Sequence, residues 1–491
     1  MAIGFNSIPA DVRTGGQFIE FDNSRAINGL PGMPMKALVI GQRAATAPVV
    51  AAIPMQIAGA KDAEAYFGRG SLVAAMANAF KAANAYTELW AIALDDAAGA
   101  AKAAGALGFG GPAVANGSLF LYIGGERIVV PVTSGDTAAQ IATNVAAAIN
   151  AMTDLPVTAA VDALDTTKVD LTCRWGGTTG NAIDLREAYY QGETSGAEIG
   201  AAVTITAMAG GATDPDISTV IAALGDVKYG TIVTAYKDGA SLQALHTELL
   251  RRWGPMVMEE GQAFVGDCDT LSNLETLGTG IDSQFITIVG GGLSPTPPWV
   301  WAAVAAAVDA GEPDPARPRQ TLPLPGLLAP AQTKLFTRDE RDLLLHDGVS
   351  TFMVDAGGNV LIERLITTYE TNAFGVPDES YLDLTTMRTL AYLRWAVRSR
   401  IALRFPRMKL ADDGTSFGPG QPIVTPSSIK ADLINLFHDW EEAGYVEDFT
   451  QFKKDLVVER DASDPERVNA LLAPNLINQF RVFAGQIQFL L

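Results

Sequence analysis

Residues 335–369 read LFTRDERDLLLHDGVSTFMVDAGGNVLIERLITTY. The signals come in the order helix, stop, strand, turn, strand. Thr337 is placed to accept from the backbone N–H of Glu340 while the Glu340 side chain reaches back to the Thr337 N–H, which makes a capping box. Asp339 and Glu340 add negative charge at the positive end of the helix dipole. Leu343, Leu344 and Leu345 supply an apolar face, and Gly348 suits the residue that stops a helix. Two β-rich runs follow, 349–354 and 360–368, joined by Asp355-Ala-Gly-Gly-Asn359, whose residues tolerate positive φ.

Upstream of this stretch the chain alternates short apolar strands with helices. A strand at 37–40, a helix capped by Ser71 and a strand at 88–94 make one βαβ unit. After Asp214-Pro215 the rhythm resumes: helix 217–225, strand 230–235, helix 241–253, strand 262–266, helix 269–277, strand 284–289, helix 299–310. Strands this short and apolar predict a parallel sheet covered on both faces, an α/β doubly wound core. Between the two parts lies a stretch of different composition, with hairpins at 118–132 and 157–174, a helix at 137–152 and a strand from Val203. It predicts an inserted α+β module bounded by small-residue hinges and projecting outward. The predicted organisation is an N-terminal arm (1–28), a core in two parts (29–97 and 213–375), the inserted module (98–212), and a C-terminal α+β domain ending in an arm (376–491). Within that last domain we expect a long helix at 384–404 and an amphipathic helix starting at Ser428.

With 491 residues the chain is too long for one ordinary core. No apolar run reaches the ~20 residues that span a bilayer, and the first residues lack the basic-then-apolar pattern of a signal peptide. The expectation is a soluble, cytoplasmically made protein without stable membrane insertion. Two cysteines, Cys173 and Cys268, argue against a disulfide scaffold or a Cys-based zinc site. The net charge of −20 argues against a nucleic-acid binder, because neutralising phosphates needs clustered Lys and Arg.

Catalytic signatures are missing. No GxxxxGK[ST] loop occurs, and Gly290-Gly-Gly292 opens no GxGxxG element. The three histidines, His246, His346 and His438, stand in no metal-ligand spacing. Gly414-Thr-Ser416 echoes a serine nucleophile, but Phe-Gly-Pro-Gly follows it and not a helix that would expose the hydroxyl. No catalytic residue, metal site or cofactor is predicted.

Two features carry the chemistry of assembly. The first is the termini. Phe18, Ile19 and Phe21 near the start, and Phe480, Val482, Ile487 and Phe489 at the end, put apolar residues into otherwise polar segments. A terminal strand with an open edge is relieved by pairing with another chain, or by an internal hairpin. The second is the run 387–409, which carries Arg388, Arg394, Arg398, Arg400, Arg404, Arg407 and Lys409 and no acidic residue. Arg394 and Arg398 are neighbours on one helical face, as are Arg400 and Arg404. Such a face either pairs with local carboxylates or docks an acidic partner.

The 335–369 stretch resembles the tail sheath proteins of contractile phages, above all the Mu-like ones. So do Ile3-Gly-Phe-Asn-Ser-Ile-Pro9, Phe21-Asp-Asn-Ser-Arg-Ala26, Gly29-Leu-Pro-Gly-Met-Pro34, Phe67-Gly-Arg-Gly-Ser71 and Ala473-Pro-Asn-Leu-Ile-Asn-Gln-Phe480. The resemblance implies a structural subunit that polymerises with itself as stacked rings around a tail tube and contracts to drive that tube through a host envelope. A tailocin-like particle is the alternative within that class, and a ligand-binding α/β enzyme the alternative outside it. It further implies a subtilisin-like core fold without the triad, and arms that join neighbouring subunits into shared sheets. Arg394, Arg398 and Arg404 become candidates for gripping the tube. Tail tube, baseplate and tail terminator proteins are the implied partners, with assembly in the host cytoplasm.

Overall fold

The computed structural model describes residues 16–17, 32–418 and 420–490. Pro34–Ala391 and the segment from Gln479 form one compact unit, and Tyr392–Asn478 belong to a second. The first unit opens with β1 (Lys36–Gln42), β2 (Met55–Ile57), α1 (Ala60–Phe67), α2 (Leu72–Ala83) and β3 (Glu88–Leu94). The inserted stretch holds β4 (Lys102–Phe109), β5 (Gly117–Ile123), β6 (Glu126–Val132), α3 (Ala138–Ala151), β7 (Val157–Val161), β8 (Lys168–Gly176), β9 (Leu185–Glu187) and β10 (Val203–Ala209). Then come α4 (Ser218–Ala223), β11 (Thr231–Thr234), α5 (Gly239–Trp253), β12 (Gln262–Asp267), α6 (Leu271–Gly278), β13 (Ile286–Gly290) and α7 (Pro298–Gly311). After the proline-laden crossing follow α8 (Arg338–His346), β14 (Val349–Val354), β15 (Val360–Arg364) and α9 (Leu384–Arg404).

The main sheet has the order β15-β14-β13-β12-β11-β1-β3-β2. From β14 to β3 all neighbours are parallel, while β15 and β2 are antiparallel edges. The chain winds outward from β1 to β3, then back past β1 to β11 and on to β14, which is a doubly wound core. Alternate residues feed opposite faces: Leu38, Ile40, Ile232 and Ile288 pack with α5, α6 and α8, and Val39, Val233 and Phe264 pack with α2 and α7. Both faces are therefore dry, which explains the nearly continuous apolar strands.

The 335–369 stretch folds as read. The Thr337 N–H donates to Glu340 Oε2 at 2.7 Å and the Glu340 N–H to Thr337 Oγ1 at 3.3 Å. Asp355 Oδ1 holds the turn through the N–H groups of Gly357 and Asn359. β15 ends earlier than expected, at Arg364, because Thr368 leaves β14 and donates to the Ile286 carbonyl of β13 at 2.9 Å.

The helix α7 is buried nearly all round, and its alanines let it lie close on the sheet. At Gly266 of β12 a Cβ would sit 1.8 Å from the Pro298 carbonyl oxygen, so only glycine fits there. Asp309 is the charged residue on this helix, and it is fully buried. Arg319 from the proline-laden crossing meets its carboxylate at 2.9 Å, and Arg388 from α9 at 2.6 Å. Arg388 also donates to the Gly230 carbonyl and to Thr231 Oγ1. Burial by itself would raise the Asp309 pKa, but the guanidiniums, Arg388 foremost, outweigh it and hold the carboxyl below its ordinary value.

The inserted stretch does not project from a hinge. Its two small sheets (β10-β4-β8-β7 and β6-β5-β9) and α3 share one continuous hydrophobic cluster with α2, α7 and one face of the main sheet. Trp175 of β8 meets Trp299 of α7 edge-on at 5.7 Å between ring centres. Arg69 grips Asp154 through both oxygens at 2.7 Å. Small residues in this stretch allow close approach: a Cβ at Gly105 would sit 2.9 Å from the Thr206 carbonyl oxygen, and one at Gly111 2.6 Å from the Ala138 nitrogen.

The second unit contains β16 (Lys409–Leu410), β17 (Ile423–Val424), α10 (Pro426–Glu442), β18 (Val446–Glu447), α11 (Phe449–Asp455), β19 (Val457–Arg460), β20 (Val468–Leu471) and β21 (Asn475–Leu476). Its core gathers Leu393, Leu433, Leu436, Phe437, Trp440 and Phe452, with Phe437 and Phe452 stacked at 4.1 Å. The α10 helix starts at Pro426, two positions before Ser428, because Thr425 is the cap and Ser428 completes its box. Among the described residues no helix is long and apolar enough to cross a membrane.

Two outcomes follow from these packings. Asp309→Ala leaves two buried guanidiniums without their carboxylate and should lower unfolding free energy by roughly 3–5 kcal/mol, read as the shift of a urea midpoint. Because the folded pKa lies below the unfolded one, Asp309 stabilises above the ordinary carboxylate range. That contribution is lost as pH falls through the folded value. Replacing residues 102–209 by a Gly/Ser linker uncovers Trp299 and Val304 and should abolish cooperative melting. A soluble product with a sharp transition would show that the shared core is dispensable.

Candidate functional site

In doubly wound sheets ligands bind beyond the carboxyl ends of the strands where the winding reverses. Here that point lies between β1 and β11. The inserted module occupies it. Gln42, the last residue of β1, is fully buried and donates to the Gly176 carbonyl at 2.6 Å and to Asp96 at 2.7 Å. The Gly176 N–H returns a bond to Asp96 at 3.0 Å, and Asp214 accepts from the Thr178 N–H at 2.6 Å. Gly177 between them has φ of +115°, a conformation reserved for glycine. Tyr236 follows β11 and is buried there, its hydroxyl pKa raised first by burial and then by Asp214 and Asp96. The crevice is closed by the chain's own backbone.

Nor do the histidines assemble a reactive group. His246 Nδ1 lies 2.7 Å from Ser283 Oγ, but Ser283 is fully buried at the amino end of β13. The neighbouring Asp282 is already occupied by the N–H groups of Glu370 and Thr371 at 3.0 Å each. Burial lowers the His246 pKa. His346 and His438 sit beside Asp342 and Glu441 on their own helices. Among the described residues no three His, Cys, Asp or Glu side chains come together as a metal-ligand group.

The assembly features are differently placed. Phe18, Ile19 and Phe21 lie outside the described residues. At the other end, Asn475–Leu476 pairs with β18, and beyond it the chain pairs with no strand among the described residues. Arg481 is fastened to Asp383 at 2.8 Å, and Asp383 is also held by Arg364 at 3.1 Å. Past this clamp Val482, Phe483, Ile487 and Phe489 are almost wholly in solvent, as is Phe480 just before it. The alternation read in the sequence is there, without a sheet to receive it.

The sequence reading missed one two-stranded element. β19 and β20 form a hairpin that pairs with no further strand among the described residues. Its turn is built on Asp461, whose carboxyl pKa is pulled far down, first by the Ser463 hydroxyl. The turn-rich 461–465, between runs of valine, was the available signal.

The basic run divides. Arg388 is buried with Asp309 and takes no part in any surface. Arg400 bridges Asp432 and Asp439 of α10 at 3.2 and 3.1 Å, and exposed Arg404 approaches Asp432 at 3.6 Å. Arg394 is half-buried and Arg398 exposed on the same helix. Local carboxylates thus take up part of the charge that the sequence offered to a partner.

Comparison with known proteins places these features. Residues 210–368 match the model of the phage tail sheath protein central domain, and residues 376–490 that of the phage tail sheath C-terminal domain. The chain is 43% identical over 493 residues to the Mu-like prophage FluMu tail sheath protein of Haemophilus influenzae, covering 100% of both chains. Among solved structures, the sheath tail protein of Desulfitobacterium hafniense matches with a TM-score of 0.49 at 14% identity, covering 94% of this chain and 100% of that one. The contracted helical sheath of the anti-feeding prophage matches with a TM-score of 0.48 at 8% identity, over 97% and 99% of the two chains.

Proposed function

The chain belongs to the phage tail sheath family, and we propose that its copies are knitted together through their C-terminal segments as they polymerise around a tail tube. It is a structural subunit of a contractile tail sheath and not an enzyme. The observation that carries the linking mechanism is the pairing of opposites within one sequence. A clamped, extended tail bears exposed apolar side chains from Phe480 to Phe489, and a two-stranded hairpin, β19–β20, pairs with no further strand among the described residues. Added to an edge of that hairpin, the tail gains ~0.5–1.5 kcal/mol per backbone hydrogen bond and ~1.5–3 per buried Phe or Ile. Phe18, Ile19 and Phe21 are proposed to fill the second edge in the same way.

The rings stack around the inner tube, with Arg394, Arg398 and Arg404 facing it, and are closed off by baseplate and tail terminator proteins. Assembly takes place in the host cytoplasm. Contraction exchanges one packing of near-rigid subunits for another that buries more or better-matched surface. The main test is electron microscopy of the purified full chain, in which tubes or stacked rings are expected. A chain that stays monomeric at all concentrations sinks the reading.

Deleting residues 482–491 spares the Arg481 clamp and should give a folded subunit that makes no long tubes. Loss of the circular dichroism signal would instead reveal an internal strand. Arg394→Glu combined with Arg398→Glu should weaken co-assembly with the tube while sheath-only polymers persist, and rising salt should reproduce part of the loss. Normal tube binding at every salt concentration would assign the basic helix another role.

A further inference from the structure

A second, different contact is built into the first unit. After β15 the chain runs down beside β13 to its amino end, where Asp282 takes the N–H groups of Glu370 and Thr371. The loop that hangs there is closed by its own backbone. Thr371 bridges Pro377, the Asn372 N–H donates to the Val376 carbonyl at 3.0 Å, and the Gly375 N–H donates to the Asn372 carbonyl at 2.8 Å. Asn372 Oδ1 fills the interior, accepting from the N–H groups of Phe374 and Val376. On this fixed frame Phe374 is 91% exposed, with Val376 half-exposed beside it. Because the loop backbone is already ordered, docking of the aromatic it carries would not also have to order the loop.

A complementary hollow lies at the opposite end of the same sheet margin. A cleft of about 480 Å³ is lined by Leu335, Phe336, Phe352, Met353 and Val354, with Arg341 among its polar groups. Val349 is level with Ile288, so Phe352–Val354 extend past the carboxyl end of β13, whereas the Phe374 loop lies past its amino end. At ~3.3 Å per residue, Val360 and Thr371 are separated by on the order of 35 Å along the strand direction. Charge adds to shape only at the rim. Between Arg364 and Arg388 the chain has Glu370, Asp378, Glu379 and Asp383 and no lysine or arginine; Asp383 is taken up by Arg364 and Arg481, while Glu379 is exposed. In the cleft Arg341 is paired with Glu363 at 2.8 Å, and the exposed cation beside it is Lys334, next in sequence to Leu335.

We propose that Phe374 enters the cleft beside β14 of a second copy of this chain, a head-to-tail contact that repeats along the strand direction. A knob and its hole on different parts of one surface make a heterologous interface, which propagates as an open array and does not close as a pair. The inference rests on the sheath reading but not on the terminal arms, since both partners are core surfaces.

The test uses the full chain and its polymerisation followed by light scattering and microscopy. Phe374→Ser and Met353→Glu should each raise the critical concentration on the order of thirtyfold while circular dichroism is unchanged. Phe374→Cys mixed with Met353→Cys should give an oxidised dimer absent from either variant alone, with Cys173 and Cys268 present in every sample as background. Wild-type tubes together with a Phe374→Ser variant that polymerises at the wild-type concentration overturn this contact and leave the sheath reading standing. A mixture that cross-links no better than its components overturns the choice of cleft. A wild-type chain that forms no polymer removes the sheath reading first. If Met353→Glu unfolds, the exposed Phe374→Ser and the cross-link still decide.

Discussion

One buried carboxylate holds three separate segments of the α/β unit together. The α7 helix is apolar on every side because it is covered on every side, so Asp309 cannot be solvated and must be paired. Its two partners come from the crossing that follows α7 and from the start of α9. Arg388 then reaches further, to Gly230 and Thr231 at the amino end of β11. A single ionic knot thus ties the most buried helix, the proline-laden crossing and the first turns of α9 to the sheet. Its role is one of specifying which segments meet, since apolar residues of the same volume could be as stable.

The same logic of closure explains why an architecture that hosts many enzymes carries no chemistry here. A doubly wound sheet offers one crevice, between β1 and β11, and the module fills it with Gly176–Thr178 fastened by Asp96 and Asp214. Fold does not dictate activity; the site does. Once the crevice is filled, the useful surfaces of this unit are its sheet margins and the ends of its strands. Both the Phe374 loop and the cleft beside β14 are found there.

Much of this was legible in the sequence because local rules and tertiary packing agreed. The capping box at Thr337, the turn at Asp355–Asn359, the glycine-turned hairpin between β5 and β6 and the whole of α9 were readable from periodicity and caps. The failures have physical causes. Small residues flanking the module look like hinges, yet small side chains also permit tight packing, and tertiary contacts such as Trp175 against Trp299 and Gln42 on Gly176 distinguish the two. Arg388 looked like a member of a basic face, because helical spacing cannot tell which turn of a long helix faces a buried carboxylate. β2, β19 and β20 are so short that their sequences carry little periodic signal. Phe374 is a lone aromatic in a turn, and its significance lies in exposure and a rigid frame, neither of which composition encodes.

Assembly must also overcome the net charge of −20 that each copy carries. Charge of that kind is spread over a surface and is screened beyond ~8 Å at physiological ionic strength, so it opposes approach only over the last few ångströms. Burial of apolar side chains and pairing of backbone edges act only at contact, and salt leaves them intact. Exposed Phe, Ile and Val side chains such as Phe374, Val482 and Ile487 offer adhesion of this contact-only kind. The acidic surface discourages random apolar sticking, which exposed side chains such as Phe374 and Phe489 would otherwise invite. Repulsion and adhesion then work at different distances, and order in the polymer comes from requiring that both be satisfied.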